Sequence, residues 1–295
     1  MFKDRSQMQM PAKHKLDWKI RRRSAAMMFA IAVSVSLYVG LNLGQPFAAA
    51  LQQPDPALAA IIDGPQRSNA NKARDRYRHP LEVLTFFGVK ADSNVIEIVP
   101  GKAGYWAEIL APYLRDHGHY TASGDAERDI APLKARVAAS PELYGKTVIT
   151  GFTGGDQEIA PPGSADFVLT FRNIHNWMRA GTADAAFHAF YKALKPGGIL
   201  GVEEHRGVPD QPQDPQAKSG YVRQDYAIAL AEKAGFKLAG CSEVNANPKD
   251  TKDYPEGVWT LPPTYRLKDQ DRDKYSAIGE SDRFVLKFAK PAEAE

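Results

Sequence analysis

The sequence predicts a doubly wound α/β domain built on a mostly parallel sheet. From about residue 81 to the end, apolar strand-like runs alternate with helix-length segments, and strands joined by such crossovers pair in parallel. The run Val95 to Val99 leads into a small-residue turn, Pro100-Gly101-Lys102-Ala103-Gly104, at the start of a helix. The chain has 295 residues, 43% of them hydrophobic, enough to bury a sizeable core.

In chain order, Leu81, Leu84 and Phe87 share one helical face, and Gly88 closes that helix. Val95 to Val99 is the first strand, followed by a helix through Leu114 that Pro112 kinks or ends. His119 to Ser123 is the second strand, Ile130 to Ala139 a helix, Thr147 to Phe152 the third strand and Asp166 to Phe171 the fourth. A helix over Thr182 to Leu194, with Thr182 as its cap, precedes the fifth strand, Ile199 to Glu203. Gln224 to Ala234 is helical and stops at Gly235, before strands at Lys237 to Glu243 and Arg283 to Phe288.

Charge separates the first fifty residues from the rest. They hold eight Lys or Arg against Asp4 and Asp17, a balance of +6, so the formal total of +3 leaves −3 for residues 51–295. A body of that charge has no bulk electrostatic reason to hold nucleic acid. Arg21-Arg22-Arg23, the apolar run Ala25 to Val39 and Ala48-Ala49-Ala50 have the order of a signal peptide cut before Leu51. Export, with a periplasmic destination, is therefore expected. The competing reading is an uncleaved membrane anchor over residues 25–43, since that run approaches the length a spanning helix needs. Cys241 is the only cysteine, so no intrachain disulfide can form.

Residues 51–80 form a cover segment with a basic cluster: Arg67, Lys72, Arg74, Arg76, Arg78 and His79. Its two readings are a solvated helical cover and a contact for an anionic substrate or lipid headgroup. The stretch Asn245 to Gly279, with Tyr254, Trp259 and Tyr265, reads as a loop insertion that lids an acceptor site.

Three elements carry a family resemblance: Val95-Ile96-Glu97-Ile98 with Gly101 and Gly104, then Ser164 to Leu169, then Leu194-Lys195-Pro196-Gly197-Gly198-Ile199-Leu200. In that order and spacing the chain resembles the class I S-adenosylmethionine-dependent methyltransferases over roughly Leu81 to Phe288. Arg74 to Pro80 and Phe171 to Trp177 further resemble a little-characterised group of predicted bacterial methyltransferases with export signals. The resemblance implies a seven-stranded Rossmann-like sheet of order 3-2-1-4-5-7-6 with the last strand antiparallel. It also implies S-adenosylmethionine as cofactor, bound at the carboxyl ends of strands one, two and four, and methyl transfer to a small or envelope-associated acceptor.

On this resemblance the cofactor-binding residues are Glu97, Gly101, Gly104, Asp125 and Asp156. Gly101 and Gly104 admit close approach to the backbone. Glu97 orients the loop and offsets the cofactor's positive charge, Asp125 takes the ribose hydroxyls and Asp156 meets the adenine amino group. Val99 and Ala103 depart from the pattern, standing where glycines are usual, and the acid expected at the end of strand two is displaced by one position to Asp125. The catalytic candidates are His175 and Asn173, in the segment that faces the transferable methyl in the resembled fold. His175 is either a general base or a satisfied structural histidine. Glu203, Glu204, His205 and Arg206 end strand five and line the same pocket or serve the loop. No spacing selects a metal, although Glu204, His205 and His175 could meet in space. Two rival readings are a cofactor-binding protein of the same fold without turnover and an NAD(P)-dependent oxidoreductase.

Overall fold

The computed structural model describes residues 53–292; the expected signal peptide, its cleavage site before Leu51 and the alternative anchor over 25–43 lie outside them. The apolar runs form seven strands: β1 (Asn94–Ile98), β2 (His119–Gly124), β3 (Val148–Gly151), β4 (Ala165–Phe171), β5 (Leu194–His205), β6 (Lys237–Ser242) and β7 (Arg283–Ala289). They make one sheet of order β3-β2-β1-β4-β5-β7-β6. β7 runs antiparallel to β5 and β6, and the pairs β1–β2, β1–β4, β2–β3 and β4–β5 are parallel. This is the predicted order and polarity.

Both faces of the sheet are covered, which is why its central strands are nearly continuous apolar runs rather than alternating ones. Ile96, Ile98 and Val168 face one core with Phe187, Phe190 and Phe236. Val95, Phe167 and Leu169 face the other with Phe87, Ile109 and Leu114. Helices Ala183–Ala193 and Gln224–Lys233 pack on the first side, and helices Pro56–Asp63, Pro80–Phe87 and Ala107–Leu114 on the second.

Several elements differ from their predicted bounds for identifiable reasons. β5 begins at Leu194, because Leu194 already pairs with Ala165 and the register then shifts before Ile199 pairs with Phe167. Pro112 lies inside the helix Ala107–Leu114, which ends two residues later. Its missing N–H therefore interrupts only the final turn. Thr182 precedes the helix Ala183–Ala193 but makes no side-chain cap, and its hydroxyl is buried without a partner among the described residues.

The cover segment departs furthest from a solvated helix. It folds as three short helices, Pro56–Asp63, Asn69–Lys72 and Asp75–Arg78, and buries Arg67 and Arg78. Arg67 forms a forked pair with Asp75, at 2.5 and 2.7 Å, that anchors the segment.

Candidate functional site

The register brings the carboxyl ends of the central strands level. Ile98 pairs with Ser123 on β2 and with Thr170 on β4, and Phe171 pairs with Glu203 on β5. The strand order reverses beside β1, between β1 and β4, leaving a crevice there. A cavity of about 310 Å³ opens at this edge, walled by the β1 turn, the residues after β4 and β5, the cover segment and the insertion. Trp106 stacked on Phe171, with ring centroids 4.1 Å apart, forms part of its wall.

The β1 turn keeps a glycine-like backbone even where glycine is absent. Gly101 and Gly104 have φ of 68° and 56°, and Val99 has φ of 57°. The left-handed region disfavours a β-branched side chain; here the N–H of Val99 donates to the Ser123 carbonyl at 2.7 Å and holds it in place. Asn71 and Arg136 both donate to the Ala103 carbonyl and brace the turn from outside the sheet.

Glu97 is 1% exposed and lines the cavity. Burial pushes its carboxyl up to about 7, although the hydrogen bond from the Tyr120 hydroxyl and the charge of Arg78 act the other way. A cationic ligand nearby would favour its ionised form.

His175 is 4% exposed and lines the same cavity. Its Nδ1 lies 3.1 and 3.2 Å from the two carboxylate oxygens of Glu204, which is wholly buried. A carboxylate only accepts, so Nδ1 carries a proton, and in the neutral ring the lone pair is then on Nε2. Trp259, from the insertion, meets the His175 ring edge-on at 5.8 Å. Asn173 lines the cavity too, but its amide donates to Ile98 O at 3.3 Å and Thr170 Oγ1 at 3.1 Å. It ties the end of β4 to the end of β1.

Glu97, Gly101, Asn173 and His175 therefore meet at one cavity, with Gly104 in the adjoining turn. Asp125 and Asp156 do not line it. The Asp125 carboxylate accepts from the N–H groups of Glu127 and Arg128, capping the turn that follows, and these bonds hold it below the ordinary aspartate range. Asp156 stands 3.2 Å from His188 on an exposed loop.

Of the two readings of the basic cluster, the placement of Arg74 and Arg78 at the cavity fits the contact rather than the solvated cover, and Arg172 and Arg283 join them without a sequence signal. Arg74, Arg78 and Arg172 line the cavity, and Arg283 lies behind them. Glu280 contacts Arg74 at 2.6 Å, Arg283 at 3.1 Å and Arg78 at 3.7 Å. Glu203 contacts Arg283 at 3.3 Å and Arg172 at 3.5 Å. Burial acts to raise the Glu280 carboxyl, but the charges of Arg283, Arg78 and Arg74 outweigh it and hold the group at about 2. Burial and the nearby charges of Arg172, Arg283 and Arg78 push His205 well below the ordinary imidazole range, so it is neutral at pH 7.

His175, Glu204 and His205 each bring one possible ligand atom within 4.8 Å of the others. Glu204 also accepts the backbone N–H of His205 at 2.8 Å and of His175 at 3.3 Å. A carboxylate so fully engaged orients an imidazole better than it coordinates an ion.

No family model matches the chain, and no curated protein matches it in sequence. Solved structures do share its fold. A SAM-dependent methyltransferase from Aquifex aeolicus is similar with a TM-score of 0.51 and 15% identity, covering 81% of this chain and 100% of that one. An arsenic(III) S-adenosylmethionine methyltransferase from Chlamydomonas reinhardtii gives 0.50 and 16%, over 82% of this chain and 76% of that one. The 4+2 cyclase SpnF gives 0.53 and 17%, over 80% and 92%. At these identities the similarity shows the class I methyltransferase fold.

Proposed function

We propose that this chain binds S-adenosylmethionine at the β1 turn and transfers its methyl group to a small or envelope-associated acceptor. The observation that carries this reading is that His175, oriented by Glu204, lines the same cavity as the β1 turn and Glu97. The residues fit the cofactor: the turn leaves backbone open at Gly101, where an added Cβ would find no atom nearer than 4.0 Å, and the buried Glu97 suits an ammonium or sulfonium neighbour. When bound, the cofactor supplies an electrophilic methyl carbon on sulfur.

The chain's own residues then align and deprotonate. Nε2 of His175 takes the proton that a hydroxyl or amine acceptor gives up as its lone pair bonds to the methyl carbon. Glu204 fixes the ring and favours the imidazolium that results. Trp106, Phe171 and Trp259 exclude water, and alignment of the acceptor supplies much of the remaining rate. Asn173 acts by holding β1 against β4.

Binding without turnover is the second reading, favoured by the strained Val99 and by an Asp125 carboxylate engaged as a cap. Incubation of the chain with methyl-labelled S-adenosylmethionine and cell-envelope extract separates the two. Label in an acceptor with the wild type and its loss in His175→Ala support transfer; no label in either supports binding alone. We also assign the chain to the exported bacterial group that Arg74 to Pro80 and Phe171 to Trp177 resemble, with a periplasmic or membrane-tethered location carried by the pattern of residues 21–50.

A further inference from the structure

The arginines at the cavity outnumber the acids that face them. Arg74, Arg78, Arg172 and Arg283 share two carboxylates, Glu203 and Glu280. Even a fully ionised Glu97 leaves one positive charge unmatched. The side chains of Arg78 and Arg283 are buried against Glu280 and Glu203, whereas those of Arg74 and Arg172 are 18% and 22% exposed, so the surplus charge sits on the two guanidinium groups that open to the cavity.

Hydrogen bonding shows the same surplus. Arg78 is 2% exposed, yet its Nε has no hydrogen-bond partner among the described residues. Its contacts are Glu280 at 3.7 Å, beyond hydrogen-bond range, and the face of Tyr105 at 4.3 Å. Arg74 Nη2 and Arg172 Nε are likewise buried and unpartnered among those residues. Three guanidinium groups with spare donors thus converge on one cavity wall.

Binding of S-adenosylmethionine does not supply the missing charge. Its carboxylate is outweighed by its ammonium and sulfonium, so its arrival makes the cavity more positive. Resting on the reading of methyl transfer, we infer that Arg74, Arg78 and Arg172 form an oxyanion site, and that the methyl acceptor carries a carboxylate or phosphate held there beside His175. Guanidinium forks suit either group through paired N–H donors. The cavity volume of about 310 Å³ and the Trp259 cover favour a small acceptor.

Calorimetric titration of the full chain with inorganic phosphate and, separately, acetate tests this, each with and without saturating S-adenosylhomocysteine. At least one oxyanion is expected to bind with the sulfur ligand already present, and Arg172→Gln is expected to weaken it at least tenfold while changing S-adenosylhomocysteine affinity by less than threefold. Phosphate alone or acetate alone identifies which group the acceptor carries. Should Arg172→Gln fail to fold, Arg172→Lys, which keeps the charge but loses the fork, is expected to give a smaller loss. Absence of binding by both anions, or full displacement by S-adenosylhomocysteine, overturns the oxyanion site. If the anion binds but no sulfur ligand does, the arginine site stands and methyl transfer falls; the reverse pattern removes only the arginine site.

Discussion

Glu204 holds His175 from two directions: its carboxylate lies 3.1 Å from the ring Nδ1 and 3.3 Å from the backbone nitrogen of the same residue. One buried carboxylate thereby fixes both ring tautomer and helix entry, since His175 stands in the first turn of Ile174–Ala180. His175→Ala is expected to lower turnover by roughly 10²- to 10⁴-fold, the usual range for a general base, with S-adenosylhomocysteine affinity nearly unchanged. Glu204→Gln should lower turnover too and alter the pH–rate profile, because an amide can donate to Nδ1 and move the ring proton to Nε2. Unchanged single-turnover rates would return both residues to structural roles.

The buried Glu97 makes stability depend on pH with a definite sign. Between the ordinary carboxyl value of 4.5 and its own value of about 7, the folded chain keeps a proton that the unfolded chain has released. Stability contributed through this group is therefore present below 4.5 and lost as pH rises to about 7. Glu97→Gln should remove that loss, making the variant more stable than wild type at pH 8 by up to roughly 3 kcal/mol and little different at pH 4. Urea unfolding at the two pH values checks this; equal differences would contradict it.

Val99 carries strain at the cradle. A β-branched residue at φ of 57° costs about 1–2 kcal/mol, so Val99→Gly is expected to raise stability by less than about 1 kcal/mol once glycine's entropy and the lost side-chain contacts are deducted. Chemical denaturation measures it. A destabilised variant would mean that the packing of Val99 against the core outweighs the strain.

The engaged state of Glu204 predicts insensitivity to chelators. Treatment with EDTA should leave ligand binding and methyl transfer unaltered. A loss restored by a divalent transition metal would make His175, Glu204 and His205 an ion site instead.

The sheet was legible because most strands are local apolar runs and most parallel crossovers carry a local helix, the loop between β3 and β4 being the exception; the Leu194 to Leu200 element needed only its neighbours. His175, Asn173, Glu97 and Gly101 were legible for the same reason, lying at strand ends that the order of elements brings level. The arginine wall was legible only as one of two readings of the basic cluster. Arg74 reaches Glu280 across 206 residues of sequence, and Arg283 reaches the Tyr77 carbonyl across the same separation. A basic run looks solvated until such distant acids are placed beside it. Asp125 was legible as a residue that follows β2 but not as a cap: its Oδ1 accepts from the N–H groups two and three residues ahead.

Titration of the full chain with S-adenosylhomocysteine, in wild type and in Glu97→Ala, addresses cofactor binding at the β1 turn without knowledge of the acceptor. One site per chain, weakened at least tenfold by Glu97→Ala, is the expected result. No binding at millimolar ligand, or an affinity indifferent to Glu97, would contradict a sulfur-cofactor cradle at residues 97–104.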